Sequence, residues 1–259
     1  MATNPTKNWF DQGGAAYARF RPENPPELAK LFASIAPTTQ LAVDVGCGTG
    51  QLATQLGDLF ERTIGIDPSA DQLKNATPHS RVEYRCGPAE KLPADNGSAS
   101  LIVAAQAAHW FDLPRFYAEV RRVAAPGAVV ALVSYGVLKL DGEPLDGELD
   151  ARFQQFYWEE VGEFWPPERR LVDSGYAGMD FPFDEHASPQ LQIRKDWTLA
   201  ALLGYISTWS AVRHARDAGA EPVLQRFALE FTELWGTPTV QREVRWPISM
   251  RLGTVATAR

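Results

Sequence analysis

Seven consecutive residues, Asp44-Val45-Gly46-Cys47-Gly48-Thr49-Gly50, set three glycines at alternate positions after an acid. Glycine lets a backbone turn tightly and approach a ligand closely, and a helix starting at such a turn offers unpaired amide donors. An adenosyl cofactor fits that arrangement; a strand-to-helix turn with no ligand is the alternative. A dinucleotide site of the oxidoreductase type favours a further glycine at position 51, where this chain has Gln51. Asp67, at the end of Ile64-Gly65-Ile66, is placed to accept hydrogen bonds from both hydroxyls of a ribose, while the adjoining Pro68-Ser69 keeps a helix-capping role open.

A second group of residues suits acid-base or recognition chemistry. His109, in Ala107-Ala108-His109-Trp110-Phe111-Asp112, is the best candidate for a base, with a structural histidine bonded to a neighbour as the alternative. Trp110 either walls a binding site or fills the core. Tyr205, Trp209 and Arg213 stand at i, i+4 and i+8, one face of a helix. Such a stripe is ordinarily core, but its charged end, Arg213, can clamp a carboxylate through a bidentate pair. Trp165-Pro166-Pro167-Glu168-Arg169-Arg170 reads as a turn into a helix, with a lid element as the alternative. No His or Cys cluster has metal-ligand spacing, so no metal is expected, and no Ser-His-Asp order accompanies a strained nucleophile turn.

These residues need elements to position them. Apolar runs at 41–45, 63–66, 82–85, 101–105 and 128–133 read as parallel strands buried on both faces, with helices at 51–59, 69–76 and 114–124 as crossovers. Pro126-Gly127 reads as the stop of the third helix. A strand at 191–197, helices at 199–215 and 222–235, and a strand at 241–252 follow. The expected fold class is α/β, a doubly wound Rossmann-like sheet of seven strands in a single domain spanning 1–259. Within it, residues 1–36 form an N-terminal helical lid, 37–135 a cofactor-binding core, 136–189 a partly helical insertion after the fifth strand, and 190–259 the completing helices and strands. The insertion is rich in aromatic residues, including Phe153, Phe156, Tyr157, Trp158, Phe164 and Trp165, which must cover something.

The chain of 259 residues, 45% hydrophobic and 22% charged, is long enough to bury its own core. Cys47 and Cys86 are too few for a disulfide scaffold. A formal charge of -7 offers no general attraction to phosphate backbones, so nucleic acid is not an expected partner. No apolar run has the length of a signal peptide or a spanning helix, so no membrane is expected and the chain reads as cytoplasmic. Monomer and homodimer are both open.

Residues 40–134 resemble the core of class I S-adenosylmethionine-dependent methyltransferases, and more closely the ubiquinone-biosynthesis and trans-aconitate methyltransferase-like group. The resemblance implies that Asp44, Gly46, Cys47, Gly48 and Gly50 line the methionine part of S-adenosyl-L-methionine, with Asp67 and neighbouring Pro68 at its ribose. Gly87-Pro88-Ala89-Glu90 resembles the segment beside the adenine, with Ala89 and Glu90 in contact, and Gln106 the position facing the methionine end. Tyr17-Ala18-Arg19-Phe20-Arg21-Pro22 resembles the family's lid, in which Tyr17 and Arg21 approach the cofactor's amino-acid end. The implied activity is methyl transfer to a small-molecule acceptor, at a carboxylate or hydroxyl oxygen, leaving S-adenosyl-L-homocysteine. A protein or nucleic-acid methyltransferase, or a cofactor-binding protein without turnover, is the alternative. Such a transfer is an in-line displacement in which an ionised carboxylate needs no base, whereas a hydroxyl must lose a proton.

Overall fold

The computed structural model describes residues 22–140 and 144–256. Among them, α1 (Pro26–Ile35) precedes β1 (Leu41–Val45), α2 (Gln51–Leu59), β2 (Arg62–Asp67), α3 (Ala70–Lys74) and β3 (Val82–Cys86). Then come β4 (Ala99–Ala105), α4 (Leu113–Val123) and β5 (Ala124–Tyr135). Proline opens α1, where a missing N–H is harmless, and α4 starts on Asp112, whose carboxylate accepts the Arg115 amide at 3.3 Å. Phe116, Tyr117, Val120 and Val123 form the buried face of α4.

Strands β1 to β5 are parallel, in the order β3-β2-β1-β4-β5. Successive strand residues point to opposite faces, so each strand feeds two apolar layers. Val129, Ala131 and Val133 join Leu28, Phe32 and Phe60 on one side, while Ala128, Val130 and Leu132 join Phe116 and Val120 on the other. The chain order reverses between β1 and β4, and a crevice opens there at the carboxyl ends of the strands.

The rest of the chain supplies α5 (Pro144–Gln155), a π-helical turn (Phe156–Glu160), a 3-10 turn (Gly162–Phe164) and α6 (Arg169–Asp173). β6 (Asp184–His186), β7 (Leu191–Trp197), α7 (Leu199–Ser207), α8 (Ser210–Asp217), α9 (Glu221–Trp235) and β8 (Arg242–Thr254) follow. Among the described residues the sheet therefore has eight strands, where seven were expected. β8 runs antiparallel to β5, and its other edge is shared by β6, opposite Leu252 to Thr254, and β7, opposite Arg242 to Ile248. The break between β6 and β7 contains Pro189, which has no N–H to continue a ladder.

Three further expectations change. The helix read over 199–215 is interrupted at Thr208 and Trp209, where the Thr208 hydroxyl donates to the Tyr205 carbonyl at 2.6 Å and the Trp209 amide turns to Ile206. Pro126-Gly127 does not stop a helix: α4 has ended at Val123, and the pair lies inside β5, with Gly127 at φ +74° and the β4-β5 register shifting between Ala99 and Leu101. The helix read over 69–76 is the shorter α3, capped by Ser69. Of the insertion's aromatic residues, Phe153, Phe156 and Tyr157 are buried and Trp158 is exposed. Residues 1–21 of the expected lid lie outside the described residues.

Candidate functional site

The glycine turn closes the carboxyl end of β1. The amides of Gly46 and Cys47 both donate to the Ile66 carbonyl, at 2.7 and 3.1 Å, which lashes the turn to the end of β2. Gly46 has φ +73°, and a Cβ there would stand 2.3 Å from Cβ of Ala107. The backbone thus passes directly against the segment that follows β4. Gly48, at φ +55°, faces open space, with nothing nearer to a built Cβ than Oε1 of Gln72 at 3.9 Å.

Two acids sit beneath this turn. Asp67 accepts the Gly48 amide at 2.9 Å through Oδ2 and the Ser69 amide at 2.8 Å through Oδ1. It therefore braces the turn, and the helix cap itself is Ser69. Asp44 is buried, and its Oδ2 has no hydrogen-bond partner among the described residues. Burial, reinforced by the charge of Asp67, raises the Asp44 carboxyl to about 7. Burial also raises Asp67, against the two amide bonds that favour its charge. A cavity of about 750 Å³ opens over these acids and extends past Ala89 and Gln106 to His109, Trp110 and Tyr135.

The insertion packs behind the far wall and adds Glu168 to its lining. α6 packs against the turn at residues 108–110, and the Tyr176 hydroxyl lies 3.0 Å from Nδ1 of His109. Tyr176 is buried and has φ +62°, a left-handed backbone uncommon for an aromatic residue. Arg251 holds that backbone by donating to the Tyr176 and Met179 carbonyls at 3.1 and 2.9 Å. Arg169 stands close by: its Nε donates to the Tyr157 hydroxyl at 2.8 Å and to Asp173 at 3.0 Å, and its guanidinium lies 4.8 Å from the Trp165 ring centroid. Burial and the positive charge of Arg169 lower His109 to about 3, so its imidazole is neutral near pH 7.

A methyltransferase-domain family matches residues 43–132. A Dictyostelium discoideum protein named as a candidate methyltransferase is 33% identical over 226 residues, 85% of each chain. The chain belongs to the class I S-adenosylmethionine-dependent methyltransferases. A solved structure from Anaeromyxobacter dehalogenans, described as a candidate type II methyltransferase, is 42% identical with a TM-score of 0.84, covering 92% of this chain and 100% of that one. Malonyl-[acyl-carrier protein] O-methyltransferase of Dechloromonas aromatica is 38% identical over 112 residues, 42% of this chain and 41% of that protein.

In this methyltransferase the residues present suit the family's cofactor. The unpartnered Asp44 oxygen and the second acid, Asp67, form an acidic floor that suits a molecule with a sulfonium and an ammonium group. The open face of Gly48 leaves room above that floor. Asp44, Gly46, Cys47, Gly48, Asp67, Pro68, Ala89, Glu90 and Gln106 all line the one cavity. Gln106 has φ +55°, donates to the Tyr135 carbonyl at 3.1 Å, and leaves its buried Oε1 without a partner among the described residues. Glu90 accepts the Asp112 amide at 2.8 Å and so ties the segment after β3 to the start of α4. Burial, with Asp44 and Asp67, pushes the Cys47 thiol up, so it stays protonated.

Other expected site residues fall elsewhere. Gly50 caps α2 away from the cavity, and a Cβ on it would stand 2.0 Å from the Tyr84 hydroxyl. Its glycine serves packing. Tyr205 and Trp209 are buried behind the cavity wall in an aromatic cluster, their rings 5.5 Å apart and edge-on. Arg213 is exposed on α8, because the break at Trp209 turns it off the Tyr205 face, and it does not line the cavity. Tyr17 and Arg21 lie outside the described residues. His109 and Trp110 line the cavity; Tyr135 beside them, and Arg169 and Tyr176 packed behind, were not foreseen there. Only Arg169 stood in a segment that drew attention, through Trp165-Pro166-Pro167. Among the described residues no His, Cys, Asp and Glu group is placed to hold a metal, and no helix is long and apolar enough to cross a membrane.

Proposed function

We propose that this enzyme transfers the methyl group of S-adenosyl-L-methionine to an oxygen of a small-molecule acceptor, a carboxylate or a hydroxyl, and releases S-adenosyl-L-homocysteine. The observation that carries the reading is the single cavity of about 750 Å³ that joins the acids under the glycine turn to the His109, Trp110 and Tyr135 wall. That volume accommodates a cofactor and a small acceptor together rather than a macromolecular surface. When bound, the cofactor supplies an electrophilic methyl group on a sulfonium. The chain's part is to hold the two reactants in line and dry: Asp44 and Asp67 fix the cofactor's polar and charged groups, and the aromatic wall excludes water. The name of the Dechloromonas relative, an O-methyltransferase, supports an oxygen acceptor. The net charge of -7 argues against a nucleic-acid acceptor. No membrane partner enters this reading, and monomer and homodimer serve it equally.

Calorimetric titration with S-adenosylmethionine and S-adenosylhomocysteine, with NAD as control, tests it. Micromolar binding of the adenosyl ligands alone, followed by methyl incorporation into members of a panel of small acids and phenols, is the expected result. A folded sample that binds neither adenosyl ligand would sink the proposal.

A further inference from the structure

The two ends of the cavity are built differently. Asp44 and Asp67 floor the glycine-turn end, whereas His109, Trp110 and Tyr135 line the opposite wall, with Tyr176 and the ion pair of Arg169 and Asp173 packed behind it. Behind that wall the Tyr176 hydroxyl is the key group. Burial pushes this hydroxyl up, so it keeps its proton; its oxygen lies beside the backbone amides of His109 and Ala108 and 3.0 Å from Nδ1 of His109. A buried hydroxyl has one proton to give. With amides already directed at its oxygen, the arrangement that leaves no donor stranded sends that proton to Nδ1, so Nδ1 accepts and the ring's own proton sits on Nε2. His109 lines the cavity, and among the described residues its Nε2 has no hydrogen-bond partner.

We propose that His109 serves the acceptor as a fixed hydrogen-bond donor through Nε2–H, held in that tautomer by Tyr176, and that the site therefore takes acceptors whose oxygen is already anionic, namely carboxylates. This rests on the methyl-transfer reading above and narrows its acceptor. The charged and titratable groups around His109 are Arg169, its ion-pair partner Asp173 and Tyr176 from the insertion, Glu168 at the cavity edge, and Glu90, Asp112 and Arg115 on the remaining lining. Burial and the charge of Arg169 disfavour an imidazolium, so His109 meets the acceptor as a neutral ring. The carboxylate oxygen forms the new C–O bond, the methyl–sulfur bond breaks with its electron pair on sulfur, and no proton changes place. Anion and sulfonium become a neutral ester and a thioether, which a dry site favours because charge is lost there.

Nitrogen-15 NMR of histidine-labelled full-length chain, with the His109 signals assigned through His109→Gln, reads the tautomer without any acceptor. The expected result is a neutral Nε2–H form from pH 5.5 to 8, whose preference is lost in Tyr176→Phe. An Nδ1–H form, or protonation with a midpoint between pH 6 and 7, overturns the proposal. Kinetics on the acid and phenol panel give the second test. His109→Gln keeps a donor and stays within a few-fold of wild type on carboxylic acids. His109→Ala loses about ten- to a hundredfold in kcat/KM, the worth of one hydrogen bond to a charged group. With S-adenosylmethionine saturating, the wild-type rate is flat between pH 6 and 8. Turnover confined to phenols, with a rate rising tenfold per pH unit and both variants equally impaired, overturns it. Failure to bind S-adenosylhomocysteine would overturn the methyl-transfer reading itself, and the tautomer measurement tells that failure from the other.

Discussion

Replacing Gly46 by alanine, beside the same change at Gly48, separates close packing from backbone strain. Both glycines have positive φ, +73° and +55°, where a Cβ raises the backbone energy by about 1–2 kcal/mol. At Gly48 nothing lies nearer than 3.9 Å, so that strain is the whole expected loss. At Gly46 the new Cβ would stand 2.3 Å from Cβ of Ala107. Carbon atoms rest at about 3.5–4.0 Å, so one backbone must retreat by more than about 1 Å. A Cβ has no rotamer with which to escape, and overpacking of this kind adds about 1–3 kcal/mol. Gly46→Ala should therefore lose about 2–5 kcal/mol against about 1–2 for Gly48→Ala. At about 3 °C of melting temperature per kcal/mol, that is roughly 6–15 °C against roughly 3–6 °C. Differential scanning calorimetry reads the shifts, and titration with S-adenosylhomocysteine should show a larger affinity loss for Gly46→Ala, because the displaced Ala107 carries Gln106 and His109 with it. Equal shifts for the two variants would refute the contact between the glycine turn and the segment after β4.

Two further outcomes are expected. Asp44 carries a folded value of about 7 against an ordinary 3.8, so the folded chain holds this proton more tightly; the associated stability is present below about 4 and is lost as pH rises through 7. A cationic ligand beside Asp44 reverses that preference, so S-adenosylhomocysteine, through its ammonium group, should bind more weakly below pH 7 and release close to one proton at pH 6; titration in buffers of different ionisation heat measures it, and no release, or release undiminished in Asp44→Asn, removes Asp44 from the ligand's reach. Asp67→Ala strands the amides of Gly48 and Ser69 as well as weakening ligand binding, so urea unfolding of the free protein should show a loss of about 1–3 kcal/mol; unchanged stability would show that Asp67 does not brace the turn.

The cofactor half was legible because its signals are local. The run Leu41 to Val45 is apolar apart from Asp44 and is buried throughout, and Gln51–Leu59 begins where the glycines stop. What escaped depends on contacts far along the chain. β6 is Asp-Glu-His, wholly exposed, and becomes a strand only because β8 offers it an edge. The break before Ser210 involves neither Gly nor Pro but a threonine hydroxyl taking a backbone carbonyl, which propensity does not announce. That break removed Arg213 from the expected clamp. Tyr176 reaches His109 across 67 residues, and no spacing rule could join them.

β8 also bears on how the molecule comes together. Its edge receives β6, and Arg251 within it grips Glu185 and the carbonyls beneath Tyr176, pairings 66 to 75 residues apart in the chain. Synthesis delivers β1 to β5 first, but one of their two faces shares its apolar layer with side chains that arrive late, among them Trp246 and Met250. The His109 wall depends on the same late strand: its tyrosine lacks a fixed seat until β8 has docked. The far end of the cavity therefore waits on pairings distant in the chain, which form slowly.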